Sequence, residues 1–195
     1  MPLRVIAGSA KGRKLKLVPG DTTRPIMDRV KEALFNIIGR NIYDAVFLDL
    51  FAGTGSVGIE ALSRGATKAI FLDLEPKAIK TIQDNLNAAK LADKAIVQRA
   101  DALKWVAQAP TEAYDFVYIA PPQYKSLWLD ALKILDANEA WMKNTNTQFI
   151  AQIDPKEEVV VEFKHLQATD RRKYGNTLLW FFASKGVADD NTVEE

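Results

Sequence analysis

The stretch Phe47-Leu48-Asp49-Leu50-Phe51-Ala52-Gly53-Thr54-Gly55-Ser56-Val57-Gly58 runs from an apolar, strand-like segment through a glycine-rich turn into a helix start. The helix is expected to carry Val57, Ile59, Ala61 and Leu62 and to stop near Gly65. A nucleotide-type cofactor site requires this order, because glycines let the backbone turn tightly and approach a ligand where a side chain would collide. Phe51, Ala52, Gly53, Thr54 and Gly55 are the candidate binding turn. The glycine pattern alone also serves dinucleotide and phosphate sites, so the neighbouring acids matter. Asp49 lies in the strand just ahead of the turn, where a carboxylate either meets a cationic amino-acid group or organises the loop. Asp73, followed by Leu74, ends the next strand-like run roughly twenty residues past the glycines, where an acid accepts hydrogen bonds from ribose hydroxyls. Asp101 follows the third run. It either binds an adenine exocyclic amine, with Ala102 packed beside the ring, or caps the short helix it precedes. All three acids stand at carboxyl ends of successive strands, where open α/β sheets bind ligands.

Outward from this turn, residues 45–50, 68–73, 95–99, 115–119 and 147–153 read as strands alternating with helical patterns. That is the sequence form of a parallel sheet wrapped by helices. Residues 76–90 predict a helix, with Pro76 in its first turn and Ile79, Ile82, Leu86 and Ala89 at spacings of three and four. Past residue 155 the alternation stops. The runs 158–168 and 177–183 flank Arg171-Arg172-Lys173-Tyr174-Gly175-Asn176, and Gly175-Asn176 signals the turn of an antiparallel hairpin at the sheet edge. A leading helix is expected over 26–39, where Val30, Ala33, Leu34, Ile37 and Ile38 make an apolar face. The resulting layout is a basic β-ribbon over 1–25, one α/β domain over 26–185, and a disordered acidic tail over 186–195.

A chain of 195 residues, 48% hydrophobic and 26% charged, suits one soluble domain. No apolar run approaches the roughly 18 residues of a membrane span, and the start lacks a charged segment followed by an apolar one, so a cytoplasmic, non-membrane protein is expected. With no cysteine and a single histidine, His165, disulfides and a thiol nucleophile are excluded, and the composition argues against a metal site or a serine-histidine triad. The net charge of +1 is uninformative, but its distribution is not. Residues 1–40 carry Arg4, Lys11, Arg13, Lys14, Lys16, Arg24, Arg29, Lys31 and Arg40 against Asp21, Asp28 and Glu32. Such a block is either the footprint of a phosphate-backbone binder or a solvated charged face. Trp105, Trp141 and Trp180 are expected in packing roles, Tyr118 and Trp128 in the core sooner than as base platforms, and His165 in a structural or exposed role.

Longer motifs now join the glycine turn. Arg4-Val5-Ile6-Ala7-Gly8 with Lys11-Gly12-Arg13-Lys14-Leu15, Thr23-Arg24-Pro25 with Asp28-Arg29-Val30-Lys31-Glu32-Ala33-Leu34-Phe35-Asn36, Leu48 through Gly55, and Gly58-Ile59-Glu60-Ala61-Leu62-Ser63-Arg64-Gly65-Ala66 span the front of the chain. Together they resemble the bacterial 16S ribosomal RNA guanine-N2 methyltransferases of the RsmD type, and the resemblance covers nearly the whole chain. It implies a Rossmann-like class I methyltransferase fold with a seven-stranded, mostly parallel sheet and helices on both faces. It implies S-adenosylmethionine as methyl donor and ribosomal RNA, free or in a small-subunit assembly particle, as acceptor. It gives Asp73 the ribose role and Asp101 the adenine role, and it makes Arg24, Arg29 and Lys31 candidate RNA or cofactor contacts, against the alternative of a helix surface laced with ion pairs, beside Arg4, Lys11, Arg13 and Lys14 as candidate RNA contacts.

The chain departs from the family pattern after the fourth strand. There the family reads acid or amide, proline, proline, aromatic; this chain reads Ala120-Pro121-Pro122-Gln123, with Tyr124 one place later. These five residues are the candidate catalytic loop. Ala120 cannot accept a hydrogen bond through its side chain, which leaves three readings. Backbone carbonyls at Ala120 and Pro121 hold the amine while Tyr124 stacks on the base; or Gln123 supplies the amide acceptor; or the protein binds RNA and cofactor as an assembly factor, without transfer or with another acceptor. A methyltransferase for a small molecule or protein fits the basic front block less well. A monomer is expected.

Overall fold

The computed structural model describes residues 3–20 and 26–186. Arg24 and the tail beyond Gly186 lie outside the described residues. The elements in chain order are α1 (Asp28–Ile38), β1 (Val46–Asp49), α2 (Ser56–Ser63), β2 (Lys68–Asp73), α3 (Pro76–Ala89), β3 (Ala95–Arg99), α4 (Ala102–Val106), β4 (Phe116–Ile119), α5 (Leu127–Ala137), α6 (Glu139–Met142), β5 (Gln148–Ile153), β6 (Leu166–Tyr174) and β7 (Thr177–Ser184). The seven strands form one sheet in the order β3-β2-β1-β4-β5-β7-β6. β1 to β5 pair in parallel, and β7 runs antiparallel to both β5 and β6. This is the Rossmann-like sheet with a C-terminal antiparallel pair.

Alternation along the strands builds two apolar layers. In β1 and β2, Phe47, Ala69 and Phe71 face one layer with Val30, Leu34 and Phe35 of α1, Ile59 and Leu62 of α2, and Ile82 and Leu86 of α3. Leu48, Ile70 and Leu72 face the other, with Trp128, Leu132 and Leu135 of α5 and Trp141 of α6. Successive side chains of a strand point to opposite faces, so a sheet covered on both sides must be apolar at nearly every central position. The run Phe47-Leu48-Asp49-Leu50 is buried throughout for this reason. Gly58 permits the α2–β2 contact: a Cβ there would lie 2.3 Å from the Phe71 ring.

One element is added to those expected and one is corrected. Helix α5 has no counterpart among the expected elements, although its buried Trp128, Ala131, Leu132 and Leu135 follow helical spacing. The last hairpin begins later than expected: residues 158–165 form no strand, and β6 takes in Arg171, Arg172 and Lys173 up to a turn at Gly175, where φ is +62°. Asp136 fixes that start, because its buried carboxylate accepts the N–H groups of Lys164, His165 and Leu166 at 2.7–2.8 Å. The exposed cations of β6 suit an edge strand, where charge discourages pairing with another chain. The front ribbon closes through an antiparallel bridge between Arg4 and Lys14, flanked by the Val5 N–H donating to the Arg13 carbonyl at 2.9 Å and the Leu15 N–H to the Leu3 carbonyl at 2.8 Å. Beyond that bridge the segment docks on α2, with Leu3, Val5, Ala10 and Leu15 in the same apolar layer as α1.

Candidate active site

The parallel order reverses between β1 and β4, and ligands of open α/β sheets bind at such a switch point, outside the carboxyl ends of the strands. The structure brings Asp49, Asp73 and Asp101 to that edge, on β1, at the end of β2 and just past β3. Asp49 is 2% exposed. Its Oδ2 accepts the Gly58 N–H at 3.3 Å, while Oδ1 is buried with no hydrogen-bond partner. Burial raises its carboxyl from the ordinary 3.8 to about 7, against the Gly58 N–H and with a further push from the Asp73 charge. A buried carboxylate oxygen lacking a partner is costly, and a cation placed against it removes that cost.

The turn after β1 is held from both sides. The Gly53 N–H donates to Asp73 Oδ2 at 2.8 Å and the Glu75 N–H to Oδ1 at 2.9 Å. Gly53 and Gly55 have φ of +53° and +74°, which glycine adopts freely. A Cβ at Gly53 would meet nothing within 4 Å, so the turn is open at Gly53, whereas a Cβ at Gly55 would press on Ile82 at 3.2 Å. Thr54 and Phe51 are half-buried, Leu74 is exposed beside Asp73, and Ala52 and Ala102 are buried. Asp101 is a helix cap: its Oδ1 accepts the N–H groups of Leu103 and Lys104 at 3.0 and 3.2 Å. Asn85, which no sequence motif marks, is a buried amide on the apolar face of α3. It donates to the Thr54 carbonyl at 2.9 Å and to the Lys16 carbonyl at 3.1 Å, and accepts the Lys16 N–H at 2.7 Å. Its position at helical spacing from Ile82 and Ala89, on the buried face with Leu86, is the signal.

The loop after β4 stands beside the end of β5, its neighbour in the sheet. Ala120 and Pro121 are half-buried, and Pro122, Gln123 and Tyr124 are exposed. The Tyr124 N–H donates to Glu157 Oε1 at 2.8 Å, and its hydroxyl to Asp154 Oδ2 at 2.9 Å. Tyr118 is buried as expected, its hydroxyl donating to Gln152 at 2.6 Å, and Trp128 is buried too.

Of the basic front block, Lys11, Arg13, Lys14 and Arg29 are exposed, and Arg4 pairs with Asp28 at 3.0 Å. Lys31 does not fit the role of an RNA contact. Its side chain is 0% exposed, donating to the Arg4 carbonyl at 2.7 Å and lying 3.4 Å from the buried Glu60 carboxylate. Desolvation lowers its pKa, opposed by Glu60. Glu60 also accepts the N–H groups of Ile6 and Ala7 at 2.8 and 2.9 Å and Arg64 Nε at 2.8 Å. The pair thus clamps the front segment onto α2.

These residues fit a cationic amino acid joined to a nucleoside: an unpartnered buried carboxylate oxygen, an open glycine turn, and two further acids on adjacent strand ends. A depression of about 370 Å³ at the opposite, amino edge, lined by Asn41, Asp115, Phe116, Asn146 and Gln148, offers no such convergence. There the Asp115 carboxylate is already occupied by the Val46 N–H at 2.7 Å.

Comparison with known proteins agrees with this geometry. Residues 3–183 match the family described as Conserved hypothetical protein 95. Ribosomal RNA small subunit methyltransferase D of Escherichia coli is 36% identical over 72% of this chain and 69% of its own length. YlbH of Bacillus subtilis, provisionally named an rRNA methyltransferase, is 40% identical over 94% of this chain and 100% of its own. The solved structure of yhhF from Escherichia coli, provisionally titled a methyltransferase, superposes with a TM-score of 0.80 at 28% identity, covering 94% of this chain and 98% of that one.

Proposed function

The chain belongs to the Conserved hypothetical protein 95 family, and from that premise we propose that it is an S-adenosylmethionine-dependent methyltransferase acting on the N2 amine of a guanine in small-subunit ribosomal RNA. The observation that carries this reading is the buried, unpartnered Oδ1 of Asp49 beside an open glycine turn. Relatives named ribosomal RNA small subunit methyltransferase D support the substrate.

In this reading Asp49 accepts the ammonium group of the cofactor's amino-acid part, the free lone pairs of Asp73 take ribose hydroxyls, and Asp101 Oδ2 takes the adenine amine while its Oδ1 keeps the helix cap. When bound, S-adenosylmethionine supplies an electrophilic methyl on a sulfonium. The chain's own contribution is orientation, which in favourable cases is worth about 7–11 kcal/mol. The carbonyls of Ala120 and Pro121 accept from the exocyclic amine and aim its lone pair, and the exposed Tyr124 ring stacks on the base for about 1–3 kcal/mol. The amine's proton leaves to water. Residues 1–25 serve as an RNA-gripping arm through Arg4, Lys11, Arg13, Lys14 and Arg24, joined by Arg29, and residues 26–185 as the catalytic domain. A cytoplasmic monomer fits this role. Among the described residues no helix is long and apolar enough to cross a membrane.

Labelled methyl donor incubated with small-subunit particles from a strain lacking the activity tests the reaction. N2-methylguanosine located by mass spectrometry is the expected product. Incorporation into neither particles nor naked rRNA, with the cofactor saturating, would favour an RNA-binding assembly factor instead.

A further inference from the structure

We propose that Asp154 and Glu157, on the turn following β5, are positioning residues that latch Tyr124 so that its ring presents a fixed platform to the target base. The inference rests on the RNA-methylating reading above. Tyr124 has φ of +62°, in the left-handed region that non-glycine residues seldom occupy, and Ser126 two places on has φ of +55°. Such a backbone persists only where its surroundings over-determine it. Tyr124 is held at both ends by one neighbouring turn: its N–H by Glu157 at 2.8 Å, and its hydroxyl by Asp154 at 2.9 Å.

Between those anchors Tyr124 as a whole residue stays 65% exposed. A tyrosine buried for packing would hide its ring and leave the hydroxyl to water; here the polar atoms are held and the aromatic surface is open. The turn that holds it is itself fixed, because Asp154 Oδ1 accepts the Lys156 N–H at 2.9 Å. Since β4 and β5 are paired, with Ile119 opposite Ala151, the latch spans the step from the loop carrying Ala120 and Pro121 to the adjacent strand end. Anchoring the ring in advance lowers the ordering cost when a base stacks on it.

The charges suit the bond. The Lys156 N–H and the Tyr124 hydroxyl hold the Asp154 carboxyl below its usual range, so it remains an acceptor. The bond to Asp154 raises the Tyr124 hydroxyl, which remains a donor. Lys156 and Lys173 also lower the Asp154 carboxyl through their charges, so positive charge lies near the carboxylate that holds the tyrosine hydroxyl.

Steady-state methylation of small-subunit particles by Asp154→Ala, Tyr124→Phe, the double variant and Asp154→Asn tests this, together with hydrogen exchange of residues 120–126 in the free proteins. Asp154→Ala and Tyr124→Phe should each lower kcat roughly tenfold, with KM for particles and cofactor affinity within about twofold. The double variant should be no worse than either single one, and Asp154→Asn, which keeps an acceptor oxygen, should recover most of the loss. Exchange in 120–126 should quicken in both single variants. Equal kcat losses from Asp154→Ala in the tyrosine and phenylalanine backgrounds would overturn the proposal, because Asp154 would then act only through Lys156. Unchanged exchange would also overturn it. A wild-type protein that methylates no rRNA overturns the parent reading and the positioning role with it, while the exchange data still report separately whether the latch exists.

Discussion

On the β1–β2 side of the crevice the candidate groups are carboxylates and glycines locked by backbone hydrogen bonds; on the β4–β5 side they belong to an exposed loop held by side chains from a neighbouring turn. Asp49 is enclosed, and Asp73 is tied to two N–H groups of the chain. Tyr124, by contrast, relies on Asp154 and Glu157, some thirty residues away in sequence. The proposed donor side is made rigid by hydrogen bonds from the chain's own N–H groups. The proposed acceptor side is held by bonds that water can contest, as would suit a site that admits a macromolecule.

The largest effect that tests this contrast lies under the rigid side, where Glu60 ties the front segment to α2. Removing it leaves Lys31 buried, with only the Arg4 carbonyl as a partner. Leaving one member of a buried pair uncompensated costs about 3–5 kcal/mol. Urea unfolding of Glu60→Ala should show a loss of that order, with faster hydrogen exchange across residues 3–16. A loss below about 1 kcal/mol would mean that the front segment stands without its clamp.

Asp49→Asn should act in the opposite direction. The native carboxyl is raised from 3.8 to about 7, so between those values the folded protein binds more protons than the unfolded one. Stability therefore falls as pH rises through that window, and the penalty is complete above it. At pH 8 the unliganded Asn variant should be more stable than the wild type by up to about 4 kcal/mol, a difference that vanishes below about pH 4. Calorimetry should show weaker cofactor binding by the same variant. A variant less stable at pH 8 would reveal a partner for Asp49 and undo its assignment to a cation.

The same contrast explains what the sequence made readable. Phe47 to Gly58 and Asp73 could be interpreted because a glycine turn between a strand and a helix restricts the residue types that fit, and strand ends place the acids. The sheet followed from apolar runs. Lys31 misled because a cation on a helix with basic neighbours looks solvated, and only the fold reveals the buried Glu60 beneath it. Asp136 and Asn85 act through backbone groups distant in sequence, which no local spacing records. The start of β6 shifted for this reason: Asp136, not a local turn, sets where pairing begins. On the acceptor side, Tyr124 was legible as an aromatic out of register, but its partners Asp154 and Glu157 were not.

Ala120 offers the smallest effect and the finest test of that side. Ala120 is half-buried and its methyl group offers no acceptor, so under the proposed function the amine would rely on backbone carbonyls for its alignment. Ala120→Asn restores the amide that the family pattern carries and leaves the Tyr124 latch in place. One added hydrogen bond made during transfer is worth about 0.5–1.5 kcal/mol, so kcat should rise roughly two- to tenfold with KM for particles unchanged. Methylation kinetics with saturating cofactor measure this directly. A fall in kcat would mean that the alanine is needed for the base to approach the carbonyls of Ala120 and Pro121. In that case the shift of the aromatic to position 124 and the loss of the side-chain acceptor are one adaptation, in which the ring platform takes over alignment that the missing amide would have provided.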